Sequence, residues 1–294
     1  MRVTQQSVAA RVMTGLQGNL NRLGDLQERL SSGTMISRPS DSPTGTVSAM
    51  QFRSEMRAAT QYARNADDGL GWLNTAEGAL GSMSTQLNRA RDLALQGMSS
   101  GAGGSTEARE ALAVEVDHIR ESLIGLANTR YLDRPVFGGT TPGDVAYDPS
   151  GAYVGDAGQV NRTIGDGTKV RVDVTGPEAF GSGPEQLFTV LASLAQNLRR
   201  GDSASLGADL DNLDGGMSTI RSQLADVGAR ANRVTNMRQT AEDRLLTLKS
   251  QLSDVEGIDL PDTIMQIKLQ EVAYQAALGA SARVVQPSLI DFLR

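Results

Sequence analysis

The sequence contains no cysteine, one histidine and one tryptophan in 294 residues. Without cysteine the chain has no disulfide, no thiolate metal site and no cysteine nucleophile. Aromatic residues make up only 4% of the chain, whereas a thick globular core usually uses more large rings. Alanine and leucine, which are abundant, fill the narrow seams between long helices, so the composition favours a helical protein over a compact enzyme.

A basic surface is also lacking, because the formal net charge is −6 and the isoelectric point is about 5.0. We therefore expect no nucleic-acid partner, since such binding needs a positive footprint. No stretch approaches the ~20 apolar residues of a membrane span, so no membrane insertion is expected. Residues 1–15 hold no unbroken apolar run of the secretory type, so if the protein leaves the cell we expect a route without a cleaved signal peptide.

Motifs for catalysis, cofactor binding and metal binding are missing too. His118 has no second histidine with which to hold a metal, and we expect a solvated position for it. The neighbouring carboxylates Asp67 and Asp68 fall on a polar helix face, where nothing builds the pocket that acid–base work requires. Residues 101–104 are glycine-rich but lack the Lys-Ser/Thr of a phosphate loop. The expectation is a non-enzyme with no catalytic, cofactor-binding or metal-binding residues.

The clearest periodic signal lies in the second half of the chain. From Leu206 to Val234, apolar residues recur at alternating spacings of four and three, and after a slip through Met237 the pattern resumes from Ala241 to Val255. Roughly seven heptads exceed the three or four that indicate a coiled coil. The pattern predicts one helix of ~75 Å, with a stammer that changes the supercoil near Met237.

Three further helices are predicted in the first half. The first carries an apolar stripe from Val12 to Leu30 and stops at the Ser-Ser-Gly of residues 31–33. The second begins near Thr44, after a bend whose prolines bar a helix. A glycine-rich corner at residues 99–105 precedes the third helix, which carries the apolar positions between Leu112 and Leu126.

The composition changes between the third helix and the long helix of the second half, where Gly, Pro, Asp and Thr become frequent. The alternating run Lys169–Val174 predicts a strand, and residues 131–183 are expected to form a small β-rich insertion. A short helix from Leu187 to Leu198 then leads back to the long helix.

The last segment, Ile258–Arg294, is apolar around nearly every face of its predicted helix. A helix of this kind must be buried on all sides. A terminal helix seldom achieves this within its own monomer. We therefore expect burial by the N-terminal helix and by other copies of the protein.

Several segments resemble the signature ends of the flagellin superfamily. Leu26–Met50, LQERLSSGTMISRPSDSPTGTVSAM, is similar to that family's N-terminal signature, in which a helix ending in L-S-S-G is followed by a polar bend, an acidic D-x-P step and a second helix. Ile258–Leu293 is similar to the C-terminal signature, and Val227–Leu245 is similar to the segment that leads into it. These stretches lie in the family's order and at opposite ends of the chain.

The resemblance implies a mainly α fold, namely a long rod of antiparallel coiled-coil helices of the flagellin-like D0/D1 type with a small β-rich insertion at the tip. Residues 1–43 would be the N-terminal inner helix (part of D0) and a bend. Residues 44–130 and 184–256 would be the outgoing and returning parts of the helical rod (D1). Residues 131–183 would be the insertion, and residues 257–294 the C-terminal inner helix (D0).

Three shorter motifs resemble the branch of the family that joins the flagellar hook to the filament more than they resemble flagellin itself. They are ISRPSDSP (Ile36–Pro43), ANTRYLDRPVFGGT (Ala127–Thr140) and SLIDFLR (Ser288–Arg294). The function that this implies is structural, with assembly through terminal-helix coiled-coil packing. Flagellin itself is one alternative, and a secreted coiled-coil effector or binding protein is another.

The resemblance also implies partners and a location. The protein would be a homo-oligomer in the extracellular axial structure of the bacterial flagellum, exported by the flagellar type III apparatus for cell motility. It would contact flagellin and the hook-proximal hook-associated protein, and a cytoplasmic export chaperone would mask its C-terminal helix. The expected assembly interface consists of side chains on the two terminal helices: Leu16, Leu20, Leu23, Leu30, Ile264, Ile267, Tyr274, Leu278, Val285, Leu289 and Phe292.

Overall fold

The computed structural model describes residues 5–99 and 104–285, and it confirms the mainly α fold class. The helices of the described ranges are α1 Gln5–Ser32, α2 Pro43–Ser99, α3 Thr106–Ala127, α4 Gly176–Phe180, α5 Leu187–Arg200, α6 Ser203–Glu256 and α7 Leu260–Val285. The strands are β1 Arg130–Tyr131, β2 Arg134–Pro135, β3 Asn161–Gly165 and β4 Thr168–Arg171. Each helix predicted from apolar spacing is present, and the second begins one residue before its predicted start. In the described ranges no helix has an 18-residue stretch apolar enough to cross a membrane.

The chain divides into two compact units. We call Met1–Arg57 with Leu245–Arg294 the terminal unit, and Ala58–Arg244 the central unit. The helices α2 and α6 contribute residues to both units, because their sequences run across the division.

Two ion pairs fix the direction in which the long helices of the central unit pack. Arg91 of α2 donates from Nε to Asp214 of α6 at 2.7 Å, and Arg238 of α6 lies 3.6 Å from Asp67 of α2. Residue numbers rise along α2 as their partners' numbers fall along α6. The two helices are therefore antiparallel, as predicted for the coiled coil.

The apolar seam of α6 keeps a constant spacing of seven residues. Its buried members at this spacing are Leu206, Leu213, Ile220, Val227, Val234, Ala241 and Leu248, and Met217 is buried between Leu213 and Ile220. The helix continues without a break through Met237, so the predicted stammer is wrong for this buried seam. The interruption in the sequence has a simpler cause, because Arg238 occupies the intervening seam position and pairs with Asp67.

The seam of α2 is buried as its seven-residue spacing predicts. Leu73, Leu80 and Leu87 have no exposed surface. Next to this seam, Gly71 allows the ring of Tyr131 to approach the helix, since a Cβ at this position would collide with the tyrosine hydroxyl. The glycine thereby lets the β1–β2 hairpin rest on α2.

The predicted β-rich insertion contains two short antiparallel hairpins, β1–β2 and β3–β4. The strand predicted over Lys169–Val174 ends at Arg171. Beyond it, the fully buried Asp173 accepts hydrogen bonds from the backbone nitrogen of Val160 at 2.6 Å and from Nε of Arg171 at 3.2 Å. A side-chain carboxylate therefore satisfies a backbone donor that a longer strand would have paired.

Three aromatic rings of the insertion and one ring of α5 form a shared core. Ring centroids lie 5.0 to 5.7 Å apart in the edge-on and tilted pairs made by Phe137, Tyr147, Phe180 and Phe188. Such pairs contribute about 0.5–1.5 kcal/mol beyond their area burial. The few aromatic residues of the chain are thus concentrated where helical seams do not supply the core.

The bend in the terminal unit follows the predicted stop signal. The helix α1 ends at Ser32, and Gly33 has a φ of 71°, a left-handed conformation that suits glycine. Asp41 then accepts hydrogen bonds from the backbone nitrogens of Ser37 and Arg38 at 3.1 and 2.8 Å. The bond from Arg38 is the main cause that holds the pKa of the Asp41 carboxyl below its ordinary value.

Candidate assembly surface

The helix α1 packs against α7 through an apolar stripe that we call the inner seam. On α1 its members recur at spacings of four and three and are partly buried: Val12, Leu16, Asn19, Leu23, Leu26 and Leu30. A groove between the two helices is lined by Leu16 and Asn19 on α1 and by Ala277 and Ser281 on α7. The alternating spacing predicted from the sequence therefore marks the face of α1 that meets α7.

The inner seam continues on α7 at the same spacings. Thr263 and Ile267 are buried, with 8% and 7% of their surface exposed, and Tyr274 is half-buried. Between them, Nε2 of Gln270 donates a hydrogen bond to the backbone oxygen of Asn19 at 3.3 Å. Because residue 19 meets residue 270 while residue 16 lies beside residue 277, α1 and α7 are antiparallel.

A second stripe on α7 is displaced by two residues from the inner seam, and we call it the outer seam. Its members Met265, Leu269, Val272 and Ala276 recur at spacings of four, three and four, and the three large ones are 55%, 64% and 64% exposed. Spacing of this kind matches the knobs of a coiled-coil seam. One helix thus carries two heptad-spaced seams, and α1 buries only the inner one. Leu269 lines a groove beside Leu26 of α1 but stays 64% exposed.

Few charges keep the exposed faces of α7 in water. From Leu260 to Ala282 the charged residues are Asp262, Lys268 and Glu271. The Lys268 ammonium lies 2.9 Å from the Glu271 carboxylate, and the Asp262 carboxylate accepts from Gln266 at 2.6 Å. An exposed helix with paired charges and a continuous apolar seam is typical of an interaction surface.

The residues predicted for the assembly interface divide between covered and exposed positions. Leu16, Leu23, Leu30, Ile267 and Tyr274 lie in the inner seam. Three others remain exposed to a considerable extent: Leu20 at 46%, Ile264 at 48% and Leu278 at 43%. Val285 ends α7, but its side chain lies outside the described part of the structure, as do Leu289 and Phe292 altogether.

Sequence reasoning did not select the large members of the outer seam as interface residues. Met265, Leu269 and Val272 were hidden because the segment is apolar on nearly every face. The signal that separates them is the second set of four-three spacings, offset by two from Thr263 and Ile267. The hydrogen bond from Gln270 to Asn19 was also missed, since polar residues within an apolar stripe do not stand out by periodicity.

The residues considered for chemistry show no arrangement suited to it. Among the described residues, no group of three His, Asp or Glu side chains is placed to hold a metal ion. His118 is exposed on α3, with its Nδ1 3.9 Å from a carboxylate oxygen of Glu121. Asp67 and Asp68 pair with Arg238 and Arg162, respectively, as in a charged helix face.

Comparisons with known proteins agree with the helical architecture. Residues 3–139 match the model of the bacterial flagellin N-terminal helical region. A flagellin of Bacillus subtilis is 24% identical over the full length of both chains. Flagellar hook-associated protein 3 of Escherichia coli is 23% identical over 95% of this chain and 96% of that protein. The crystal structure of Bacillus cereus FlgL superimposes with a TM-score of 0.60 and 20% identity, covering 70% of this chain and all of that one. The chain is therefore similar to flagellins and to flagellar hook-associated proteins along most of its length, and residues 3–139 are similar to the flagellin N-terminal helical region.

Proposed function

We propose that this chain is the structural subunit that joins the flagellar hook to the filament. The observation that carries the assembly role in this proposal is the outer seam of α7, whose large apolar residues are heptad-spaced and more than half exposed. A match along nearly the whole chain to flagellar hook-associated protein 3 supports the same role. The motifs around Ile36–Pro43 and Ala127–Thr140 favour the junction branch of the family over flagellin.

Assembly would cover the apolar surface that the monomer leaves exposed. Burying each large apolar side chain contributes ~1.5–3 kcal/mol. Met265, Leu269 and Val272 together therefore supply a strong driving force for packing against helices of neighbouring subunits. Leu20, Ile264 and Leu278 are also partly exposed, and assembly would cover them as well.

The proposed neighbours follow from a position between hook and filament. Copies of this chain would pack side by side, with the hook-proximal hook-associated protein on one side and flagellin on the other. Before export, a chaperone would cover the exposed faces of α7 in the cytoplasm. The protein would leave the cell through the flagellar export apparatus without a cleaved signal peptide and act outside it, with no catalytic role.

A second candidate function is that of flagellin itself. It is favoured by the match to Bacillus subtilis flagellin over the full length of both chains. Both functions use the same terminal-helix packing, so the outer seam does not separate them. They differ in whether a cell without this protein still exports flagellin into the medium.

Deletion of the gene separates these functions. For the junction subunit, the deletion strain has bare hooks and releases flagellin into the medium, because exported filament subunits have nothing to hold them. For flagellin itself, the hooks are bare and the medium contains no flagellin. Intact filaments in the deletion strain would contradict both proposals and favour a secreted effector.

A pair of substitutions tests the terminal helices directly. Leu278→Asp places a charge on the exposed face of α7, and we expect loss of motility and of attachment to hooks with the central unit still folded. Leu132→Asp is the matched control, since Leu132 is 73% exposed in the central unit. We expect this control to swim normally. Normal motility of the Leu278→Asp strain would contradict the proposed interface.

A further inference from the structure

The methionines of this chain differ in exposure between its two units. The chain has no cysteine, so sulfur oxidation can fall only on methionine. Among the residues that the structure describes, four methionines are exposed, namely Met13 at 62%, Met35 at 45%, Met50 at 64% and Met265 at 55%, and all four belong to the terminal unit. In the central unit, Met83 and Met217 are buried, with at most 2% of their surface exposed.

Of the exposed methionines, Met265 has the position with the clearest consequence. It is the first large member of the outer seam, followed at heptad spacing by Leu269 and Val272. Oxidation turns its flexible apolar side chain into a polar sulfoxide. A sulfoxide oxygen buried without a hydrogen-bond donor opposes the packing of an apolar seam.

We infer that Met265 is a redox-sensitive modification site that controls whether the free subunit can assemble, an inference that rests on the proposed function. The oxidant is a peroxide. The thioether sulfur attacks one peroxide oxygen, an S–O bond forms as the O–O bond breaks, and hydrogen peroxide leaves as water. Sulfur loses two electrons and the peroxide gains them. A sulfoxide reductase with a thiol reductant reverses the step, returning the thioether and releasing the oxygen as water.

The site is open only before assembly. In the free subunit the Met265 side chain is accessible, whereas packing of the outer seam against a neighbour would cover it. Oxidation therefore acts on subunits that have not yet been incorporated, and incorporated subunits are protected. Met13, on the outward side of α1, is a second exposed thioether in the same helix pair.

Peroxide treatment of the purified full-length chain tests the modification site. Peptide mass spectrometry should show sulfoxide at Met265 while Met83 and Met217 remain unmodified in the folded protein. Reduced and oxidised protein are then added to bare hooks from the deletion strain, and immunogold-labelled hooks are counted. We expect oxidation to raise the protein concentration needed for half-maximal labelling about tenfold, as for one unsatisfied buried polar group. Treatment with methionine sulfoxide reductases and dithiothreitol should restore labelling.

Matched variants assign the effect to one sulfur atom. Met265→Leu keeps an apolar side chain, and we expect it to label hooks equally well before and after peroxide. Met50→Leu removes a methionine of α2 that is at least as exposed as Met265, and this variant should stay as sensitive as the unsubstituted chain. If peroxide weakens labelling by Met265→Leu as much as labelling by the unsubstituted chain, or if protein oxidised at Met265 labels hooks fully, the inference is overturned.

Failure of the reduced protein to label hooks would instead contradict the proposed function. Sedimentation of the reduced and oxidised chain then still decides the inference, because equal self-association of the two would overturn it.

Discussion

The central and terminal units use the same heptad spacing but bury it to different extents. In the central unit, Leu73, Leu80 and Leu87 of α2 have no exposed surface. In the terminal unit, the seam residues Leu16 and Leu23 of α1 are only partly buried. On α7, a second heptad-spaced seam stays exposed, with Leu269 at 64%.

The difference follows from the number of helices that surround each seam. In the central unit, α2 pairs with α6 through Arg91 and Asp214 and with α3 through Arg89 and Glu115, so it is covered on more than one face. In the terminal unit α7 packs on α1, which covers one stripe. Apolar periodicity is therefore found both in a buried core and in a seam that the chain leaves exposed. The exposed fraction of the seam residues distinguishes the two cases.

The largest expected effect is on the free energy of unfolding, when a leucine of a buried seam is replaced by alanine and compared with a leucine of the exposed outer seam. Leu80→Ala leaves a cavity in a fully buried site and should lower the free energy of unfolding of the central unit by about 2–5 kcal/mol. Leu269→Ala should change the stability of the monomer by no more than about 0.5 kcal/mol, because the side chain is already in water. Urea unfolding followed by circular dichroism measures both.

At a temperature where both variants are folded, Leu269→Ala should attach to hooks more weakly than Leu80→Ala. Leu269→Ala weakens attachment because it removes apolar surface from the outer seam, whereas Leu80→Ala leaves that seam intact. A Leu269→Ala monomer destabilised as strongly as Leu80→Ala would show that the outer seam is already covered within the chain. The distinction between the two units would then be wrong.

An intermediate effect is expected from acid in the central unit. A hydrogen bond from the Arg171 guanidinium is the main cause that lowers the pKa of the Glu178 carboxyl from 4.5 to about 2. A carboxyl with a lowered pKa in the folded state stabilises the fold above pH 4.5, and this contribution is lost as the pH falls from 4.5 towards 2. The central unit should therefore lose stability in this window.

Glu178→Gln isolates that contribution. The variant should be less stable than the parent at pH 7, and the difference should shrink as the pH falls from 4.5 to 2. Tryptophan fluorescence during urea unfolding reports on the central unit, because Trp72 is buried there. A stability difference that is constant with pH would show that the carboxylate charge of Glu178 does not stabilise the fold.

Sequence periodicity predicted the helices well because their seams are long. Seven-residue spacing from Leu206 to Leu248 identifies α6 without knowledge of its neighbours, and Ser32 with Gly33 marks the end of α1. The insertion was harder, since its strands are two to five residues long. There the side chain of Asp173 and a cluster of four rings organise the chain, and neither has a periodic signature.

The candidate surface was only partly predictable for a different physical reason. The sequence of α7 is apolar on almost all faces, so it shows that neighbours are needed but not which stripe α1 already covers. That depends on the register of the two helices, in which the Gln270 side chain donates to the backbone oxygen of Asn19. Once this register is known, Met265 and Leu269 follow as the uncovered residues.

The smallest effect on stability, and a sharp test of that register, is expected from Gln270→Leu. The substitution removes one hydrogen bond of 3.3 Å and adds apolar surface next to Ile267 and Tyr274, so stability should rise by about 0.5 kcal/mol. A polar residue in a seam fixes register at a cost in stability, so the register of α1 and α7 should become less well defined.

A pair of introduced cysteines measures this register, because the chain has no cysteine of its own. Leu16→Cys and Ala277→Cys place them at two positions that line one groove. The disulfide should form in lower yield when Gln270 is also replaced, whereas Gln275→Leu on the exposed side of α7 should leave the yield unchanged. Equal yields in all three backgrounds would mean that apolar packing alone aligns α1 with α7, and that the position of the outer seam does not depend on Gln270.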